Sequence, residues 1–176
     1  MKKLIPAMLL AIIAAGFSSC QRAEALYNDG ILYLNKGNYT VAVTNFTESI
    51  RLDPKVADAY LYRGNAYTYK KEFDKAIADY ETAIKLDPKN PVIYYSRGNL
   101  FSIQGDYEKA IGEYTQAVSL DPKYTQAFLN RGTAYEYQKE YLLAFGDWET
   151  VLVLDPKNVF ASQNIDRIKK VLDAQE

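Results

Sequence analysis

The sequence predicts an all-α fold in which four helical hairpins stack into a solenoid and one further helix caps the C-terminal end. The first observation behind this prediction is the dipeptide Asp-Pro, which recurs at a fixed spacing of 34 residues. A period of this length indicates a helical-repeat array. The second observation is that glycine, alanine and apolar residues recur at fixed places within each period, with helical spacing. The dipeptides begin at Asp53, Asp87, Asp121 and Asp155.

The N-terminal segment has the composition of an export signal. Residues 1–3 (MKK) form a basic start, and residues 4–17 form an apolar run of fourteen residues. This run is shorter than the roughly 20 residues that a membrane-spanning helix needs. Two serines then precede Cys20, which is the single cysteine of the chain. The segment therefore predicts a signal peptide over residues 1–19.

Residues 17–20 (Phe-Ser-Ser-Cys) resemble the lipobox of bacterial lipoproteins, in which the cysteine thiol is acylated with palmitate-like chains before cleavage. Phe17 stands where most lipoboxes have leucine, so the position stays hydrophobic. The resemblance implies a lipid on Cys20 and a short tether over residues 20–22. Because lipid chains contribute roughly 0.8 kcal/mol per buried methylene, they would hold the chain on a membrane without a spanning helix.

The residue after the cysteine, Gln21, favours the periplasmic face of the outer membrane by the same resemblance. An ordinary cleaved signal peptide, or an uncleaved anchor in which Cys20 has no role, is the alternative. The expected location is thus the bacterial cell envelope.

The composition argues against several classes of function. The chain has 21 Lys plus Arg and 22 Asp plus Glu, so loss of Lys2 and Lys3 with the signal leaves a net charge of −3. This acidic balance disfavours nucleic acid as a partner. Histidine is absent, and one cysteine forms neither an internal disulfide nor a zinc cluster. We therefore expect no enzyme, no metal site and no cofactor except the lipid on Cys20.

The 34-residue period divides the rest of the chain into four repeats and a C-terminal helix. Each repeat has two helices of about 13 residues, and proline ends the second because it excludes the preceding residue from the α region. The repeats are residues 23–56, 57–90, 91–124 and 125–158, with turns at 36–38, 70–72, 104–106 and 138–140. Residues 159–176 form the capping helix and tail, with Ala161, Ile165, Ile168 and Leu172 on its apolar face.

A glycine in the middle of each first helix indicates a packing requirement, because glycine costs about 1 kcal/mol relative to alanine in a helix interior. We expect each glycine to face the alanine twelve residues later, so that the two helix backbones approach closely. The glycines are Gly30, Gly64, Gly98 and Gly132, and the alanines are Ala42, Ala76, Ala110 and Ala144. The large side chains of the second helices are Phe46, Tyr80, Tyr114 and Trp148.

The four repeats resemble the tetratricopeptide repeat (TPR) over nearly all of residues 23–156, as in AYLYRGNAYTYKKEFDKAIADYETAIKLDP of the second. The resemblance implies a right-handed α-solenoid whose first helices line a groove for a protein or an extended peptide. The candidate groove residues are Tyr27, Asn28, Tyr62, Asn65, Tyr69, Tyr95, Asn99, Asn130, Thr133 and Tyr137, together with Ile31, Asn35, Leu61, Ser96, Ile103 and Leu129.

Tyrosine and asparagine at these positions suit peptide recognition, since they offer apolar area, donors and acceptors. The alternative is that several of the tyrosines pack between neighbouring repeats. Family members that bind chaperone tails clamp a terminal carboxylate with lysine, arginine and asparagine. No lysine occupies the mapped groove positions, which disfavours that class of partner.

Three repeats have an arginine before the glycine and an acidic residue sixteen residues after the arginine. The pairs are Arg63 with Asp79, Arg97 with Glu113 and Arg131 with Asp147. The first repeat has Asp29 and Asn45 at these places, so arginine and acid occur together or not at all. This pattern predicts partly exposed ion pairs worth about 1 kcal/mol or less each. A ligand role for the arginines is the alternative.

These expectations together predict a membrane-anchored TPR lipoprotein that acts as a protein- or peptide-binding scaffold, or as an accessory subunit of an envelope complex. A self-associating structural envelope protein is one alternative. A small-ligand-binding partner of a periplasmic transporter is another. The sequence leaves the binding partner and the oligomeric state open.

Overall fold

The computed structural model describes residues 7–173, and their side chains from residue 18 onward. The basic start of the predicted signal peptide, residues 1–3, lies outside the described residues. The described residues form nine helices in two compact units, which divide between residues 88 and 89. Unit 1 contains α1 (Ala7–Asn35), α2 (Tyr39–Leu52), α3 (Ala57–Tyr69) and α4 (Phe73–Leu86). Unit 2 contains α5 (Pro91–Ile103), α6 (Tyr107–Leu120), α7 (Thr125–Tyr137), α8 (Tyr141–Leu154) and α9 (Val159–Asp173).

The helices pair into hairpins in both units. In unit 1, α1 packs on α2 and α3 on α4, and the two hairpins meet through α2 and α3. In unit 2, the hairpins α5–α6 and α7–α8 meet through α6 and α7, and α9 packs on α8. The interhelical turns fall at the four places that the sequence indicates. The predicted all-α repeat fold is confirmed.

The first helix is longer than the sequence suggests. Helix α1 runs without interruption from the apolar N-terminal segment through Cys20 to Asn35. The residues expected to form a tether, 20–22, are therefore helical while the preceding segment is attached. Cys20 is exposed and carries a free thiol. Within residues 7–173, none of the helices has both the length and the apolar character needed to cross a membrane.

The turn inside each repeat requires one residue with a positive φ. In each repeat, the first helix ends in a Schellman motif, in which the residue after the left-handed one donates its N–H to a carbonyl five residues back, at 2.9 Å. The left-handed residues are Gly37 and Gly105, with φ of 73° and 79°, and Lys71 and Lys139, with φ of 61° and 63°. Two of the four turns thus force a lysine into a conformation that costs a residue with a Cβ about 1–2 kcal/mol.

Replacing Lys139 by glycine should therefore raise the free energy of unfolding by about 0.5–1 kcal/mol, since the relief of strain exceeds the added entropy of the unfolded chain. Urea-induced unfolding of the full chain measures the change. The matched control is Lys123→Gly in the loop before α7, where φ is not positive. There the same substitution should destabilise slightly. If both substitutions changed the free energy of unfolding in the same direction, the positive φ of Lys139 would not be a source of strain.

The repeated glycine faces an aromatic ring, and the expectation that it faces alanine is wrong. A Cβ on each of the four glycines would lie 2.6 to 2.8 Å from the aromatic side chain sixteen residues later, whose atoms are the nearest neighbours. The side chains concerned are Phe46, Tyr80, Tyr114 and Trp148, each at most 1% exposed. The physical reason for glycine is thus the space that the ring needs against the first helix.

In the first, third and fourth repeats, the aspartate before the proline contributes to the end of the second helix. Its Oδ1 accepts a hydrogen bond from the backbone N–H two residues later, as in Asp121, which accepts from Lys123 at 2.9 Å. The bonds from Lys55 to Asp53 and from Lys157 to Asp155 are the same, at 3.1 and 3.2 Å. The side chain therefore closes a local turn that competes with further helix.

Helix α9 covers the apolar end of unit 2. Ala161, Ile165 and Ile168 of this helix are buried in one cluster with Trp148 and Val151 of α8. Leu172 packs against the edge of this cluster. The guanidinium of Arg167 donates to both carboxylate oxygens of Glu136, which ties α9 to α7. The remaining face of α9 is polar, so it can end the stack in water.

Candidate peptide-binding face

The candidate groove residues of the first helices divide into packing residues and exposed ones. Tyr27 and Tyr62 in unit 1 are packing residues, because their ring centres are 6.0 Å apart in an edge-on contact. Tyr27 also meets Phe46 at 5.9 Å. Burial, with smaller effects of Tyr62 and Asp58, raises the pKa of Tyr27 to about 12. These two tyrosines thus join neighbouring hairpins, as the alternative interpretation of the sequence allowed.

Asn65 and Asn99 serve the protein interior. The buried hydroxyl of Tyr80 donates to Oδ1 of Asn65 at 2.7 Å, and that of Tyr114 donates to Oδ1 of Asn99 at 2.8 Å. Burial raises the pKa of both phenols above the ordinary value, so they remain donors at neutral pH. The oxygen of each amide is therefore used inside the protein.

The asparagine at this position co-occurs in the sequence with tyrosine in the second helix. Asparagine stands fifteen residues before the aromatic residue of the second helix only where that residue is tyrosine. Ile31 stands fifteen residues before Phe46, and Thr133 stands fifteen residues before Trp148. This co-occurrence indicates an internal hydrogen bond rather than a ligand contact.

Asn130 extends the polar network of unit 2. Its Nδ2 donates to Oδ1 of Asn99 at 2.8 Å and lies 3.2 Å from the hydroxyl of Tyr95, to which it also donates. Thr133 donates to the carbonyl of Leu129 within α7 at 2.9 Å. Because Asn99 and Tyr95 belong to α5 and Asn130 to α7, the network holds the two hairpins together.

In three repeats, the last mapped groove position carries a large side chain that is exposed to solvent. Tyr69 and Ile103 are both 60% exposed, and Tyr137 is 63% exposed. Tyr69 stacks on Tyr39 with ring centres 4.8 Å apart, and Tyr137 stacks on Tyr107 at 4.4 Å. Stacking orients each tyrosine while most of its surface remains accessible. With the exposed Asn28 and Asn35, these side chains are the mapped residues best placed for a ligand.

An open cleft of about 540 Å³ lies at the ends of the first helices in unit 1. Its lining residues are Leu34, Asn35, Lys36, Gly37, Tyr39, Asn65 and Tyr69. Asn35, Asn65 and Tyr69 are mapped groove positions, while Lys36 follows the last mapped position and was missed. The Lys36 ammonium lies 5.8 Å from the centre of the Tyr33 ring. The cleft is thus amide-rich and aromatic, with one basic side chain.

The structure places each of the three repeated arginines, Arg63, Arg97 and Arg131, beside its predicted acidic partner. Arg131 donates from Nε and Nη2 to the two oxygens of Asp147 at 2.8 and 2.7 Å, and from Nη1 to Thr115 at 3.1 Å. Arg63 makes the same bonds with Asp79 and Thr47. Because the threonine belongs to the preceding hairpin, these arginines hold hairpins together. The geometry supports the structural interpretation over a ligand role.

The ion pairs are more buried than the sequence suggested. The arginine side chains are 15 to 19% exposed and their partners 8 to 16% exposed. The arginines remain partly exposed, and the expected net contribution of about 1 kcal/mol or less for each pair stays a prediction. Removing one partner alone is different, because it leaves a largely buried charge unpaired and costs about 3–5 kcal/mol. At Asp147, burial outweighs the two bonds from Arg131 and raises the pKa of the carboxyl.

The middle pair is the least satisfied of the three. Arg97 and Glu113 share a single short contact, Nη2 to Oε1 at 2.7 Å. Within the described part of the chain, Arg97 Nε and Glu113 Oε2 are buried without a hydrogen-bond partner. Burial raises the pKa of Glu113, against the attraction of Arg97. Glutamate stands here where the other two pairs have aspartate.

The described residues contain no group of acidic and cysteine side chains that could hold a metal ion. Their candidate functional features are instead stacked tyrosines, amides and an open cleft at the ends of the first helices. The fold and this face define an all-α protein built from repeated helical hairpins.

Comparison with known proteins gives the family. Two family models match, "TPR repeat" over residues 64–102 and 98–139 and "tetratricopeptide repeat" over residues 23–56. The first TPR domain of Spaghetti (RPAP3), solved with the HSP90 peptide SRMEEVD, is 30% identical, with 66% of this chain and 93% of that chain covered and a TM-score of 0.63. The chain belongs to the tetratricopeptide-repeat family.

Two further solved structures extend the comparison. The Arabidopsis OM64 TPR domain is 33% identical, with 65% of this chain and 94% of that chain covered and a TM-score of 0.61. PilF of Pseudomonas aeruginosa has a TM-score of 0.80, with 89% of this chain and 72% of that chain covered. At 21% sequence identity, this similarity shows a shared fold only. No curated protein sequence matches the chain.

Proposed function

We propose that this protein is a membrane-anchored TPR lipoprotein that binds a protein or an extended peptide through the first-helix face of its repeats. It acts as a scaffold or an accessory subunit of a bacterial envelope complex. The observation that carries this proposal is the cleft of unit 1, which three mapped groove positions line. The family supports the same class of function, since the RPAP3 domain was solved with a bound peptide.

The exposed side chains suit an extended, largely uncharged peptide. In unit 1, Tyr69 presents an oriented ring to apolar side chains of the peptide, and the exposed Asn28 and Asn35 can pair with its backbone. In unit 2, Tyr137 presents an equivalent ring. No mapped groove position carries a charged residue. Lys36 alone does not reproduce a carboxylate clamp, so the acidic peptide SRMEEVD should bind this chain weakly or not at all.

The groove is tested by removing the exposed rings. The double variant Tyr69→Ala, Tyr137→Ala should weaken capture of partners from an envelope extract at least tenfold, because exposed aromatic anchors contribute about 1–2 kcal/mol each. Asn65 and Asn99 are unsuitable targets, since they accept bonds from buried tyrosines. Val153→Ala is the control, because Val153 is 81% exposed and lies outside this face. Capture unchanged by the double variant would refute the groove.

The anchor is tested separately at Cys20. Cys20→Ser should abolish labelling by an alkynyl fatty acid and move the protein from the outer-membrane to the soluble fraction. The thermal unfolding of the variant should match that of the unaltered chain, because Cys20 is exposed. A variant that stays in the membrane fraction would show that another feature anchors the protein.

One observation favours a second candidate, self-association in the envelope. Helix α8 carries Leu142 and Val153 in water, 72% and 81% exposed, on one helical face. The equivalent helix α4 has Asp74 and Lys85 at these positions. Light scattering at high concentration tests this candidate, with Val153→Lys as the variant that should reduce association. A monomeric mass for the unaltered chain would eliminate it.

A further inference from the structure

The first three repeats share a cation site that the chain fills with its own lysines. In each, a lysine ammonium lies over the aromatic ring near the end of the first helix. The pairs are Lys36 over Tyr33 at 5.8 Å, Lys75 over Tyr67 at 5.5 Å and Lys109 over Phe101 at 5.5 Å. In the second and third repeats, the same ammonium also bonds the acidic residue before the second helix. These bonds join Lys75 to Glu72 at 2.7 Å and Lys109 to Asp106 at 2.6 Å.

The fourth repeat keeps the ring and the acid but lacks the lysine. Tyr135 and Glu140 stand at the equivalent positions, and Leu143 replaces the lysine. Among the described residues, no lysine ammonium lies over the Tyr135 ring. Arg131 lies 5.9 Å from the centre of that ring, as Arg63 lies 6.0 Å from Tyr67. Tyr67 accommodates a lysine in addition to its arginine, so Tyr135 has room for one more cation.

An open cleft of about 330 Å³ stands where the lysine would be. Its lining residues are Glu108, Ile111, Tyr135, Gln138, Glu140 and Leu143. Both carboxylates are exposed at the cleft, while the isoleucine, tyrosine and leucine supply apolar surface. An aromatic ring beside a carboxylate attracts an ammonium group, and apolar walls suit an aliphatic stem. None of the mapped groove residues lines this cleft.

We propose that this cleft binds a lysine side chain of a partner protein. The ammonium lies between Glu140 and the Tyr135 ring, as Lys109 lies between Asp106 and Phe101 in the preceding repeat. The stem packs on Ile111 and Leu143. The neighbouring Leu142, 72% exposed, extends the contact to an apolar side chain next to the lysine, which favours a polypeptide over a free amine. This site is separate from the proposed groove and does not depend on it.

The binding test uses the full chain in detergent micelles and the probe peptide N-acetyl-Leu-Lys-Leu-amide. Amide NMR shifts of residues 135–143 should saturate with the probe. A probe with norleucine in place of lysine, and free butylamine, should each bind at least fivefold more weakly. Equal binding of the norleucine probe would overturn cation recognition, and equal binding of butylamine would overturn the polypeptide source. Absence of saturable shifts would overturn the site.

Variants of the cleft test the proposal by adding the lysine that the other repeats carry. Leu143→Lys supplies the lysine that the second and third repeats carry, so it should lower the affinity for the probe at least tenfold. Gln163→Lys adds the same charge at an exposed position of α9, outside the cleft lining and outside the contact with Leu142, and should change the affinity less than twofold. An equal loss in both variants would show only general charge repulsion and would overturn the proposal.

A gain-of-site variant keeps the test decisive if Leu143→Lys fails to fold. Lys109→Leu empties the equivalent place in the third repeat, beside Phe101 and Asp106. It should create a second saturable set of shifts in residues 101–109 with the same lysine probe and a weaker one with norleucine. A Lys109→Leu chain that folds and shows no second set would overturn the proposal.

Discussion

Replacing Gly98 by alanine is expected to lower the free energy of unfolding by about 2–3 kcal/mol, although alanine is the better helix former. A Cβ on Gly98 would lie 2.7 and 2.8 Å from two ring carbons of Tyr114 and 3.2 Å from the Cβ of Glu113. Tyr114 is 1% exposed and its hydroxyl is bonded to Asn99, so the ring cannot move without loss of packing and of that bond.

The matched control is Gly112→Ala in the partner helix α6. A Cβ there would meet no atom within 4 Å. The substitution should therefore raise the free energy of unfolding by about 0.5–1 kcal/mol through helix propensity alone. Urea-induced unfolding of both variants, followed by circular dichroism, measures the difference. If Gly98→Ala is as stable as Gly112→Ala, the close approach of ring and backbone is not a packing constraint.

Replacing Arg131 by methionine should cost about 2–4 kcal/mol, because it leaves the carboxylate of Asp147 buried and unpaired. Methionine retains most of the aliphatic stem, so the loss reports the charge, its hydrogen bonds and the contact of the guanidinium with the Phe128 ring, whose centre lies 5.3 Å away. Asp147 is only 6% exposed. It cannot recover the lost bonds from bulk water without local opening of unit 2.

Two comparisons isolate this effect. Arg51→Met breaks the ion pair with Glu48, whose side chains are 61% and 44% exposed, and should cost less than about 0.5 kcal/mol. The double variant Arg131→Met, Asp147→Leu removes both charges and should recover most of the stability. Thermal and urea unfolding provide the measurements. A cost for Arg131→Met no larger than that for Arg51→Met would contradict the importance of burial.

The helix boundaries could be predicted from the sequence because the signals that set them are local. Proline and the turn residues act on the backbone within a few positions, so the four turns and the start of α9 at Val159 fall where expected. The continuity of α1 through Cys20 could not be predicted in the same way. The expected tether assumes removal of a segment that is still attached in this chain.

The partner of the repeated glycine could not be predicted from spacing. The alanine and the aromatic residue of each second helix, such as Ala110 and Tyr114, are four residues apart and lie on the same helical face. Both are candidates for the position opposite Gly98. Which of them meets it depends on how far one helix is shifted along the other, and the sequence does not encode that shift locally.

The candidate binding residues were predicted with mixed results for a related reason. Tyr27 and Tyr69 are both aromatic residues on first helices, yet Tyr27 packs on Tyr62 while Tyr69 is 60% exposed. The two tyrosines differ in their position along the helix, since Tyr27 is the first mapped position of its repeat and Tyr69 the last. The arginine–acid pairs were easier to predict because both partners lie in one repeat. Their burial depends on the aromatic rings that cover Arg63 and Arg131.

The clamp between the start of the first repeat and α2 has a mechanical consequence. The hydroxyl of Ser49 donates to the carbonyl of Ala23 at 2.8 Å, and both residues are buried. Ala23 follows Cys20 by three positions. If a lipid is attached to Cys20 as proposed, the linker between the bilayer and the folded repeats is only about three residues long. Reorientation of unit 1 would then be transmitted directly to its lipid. A few glycines inserted after Cys20 would uncouple the motion of unit 1 from the lipid.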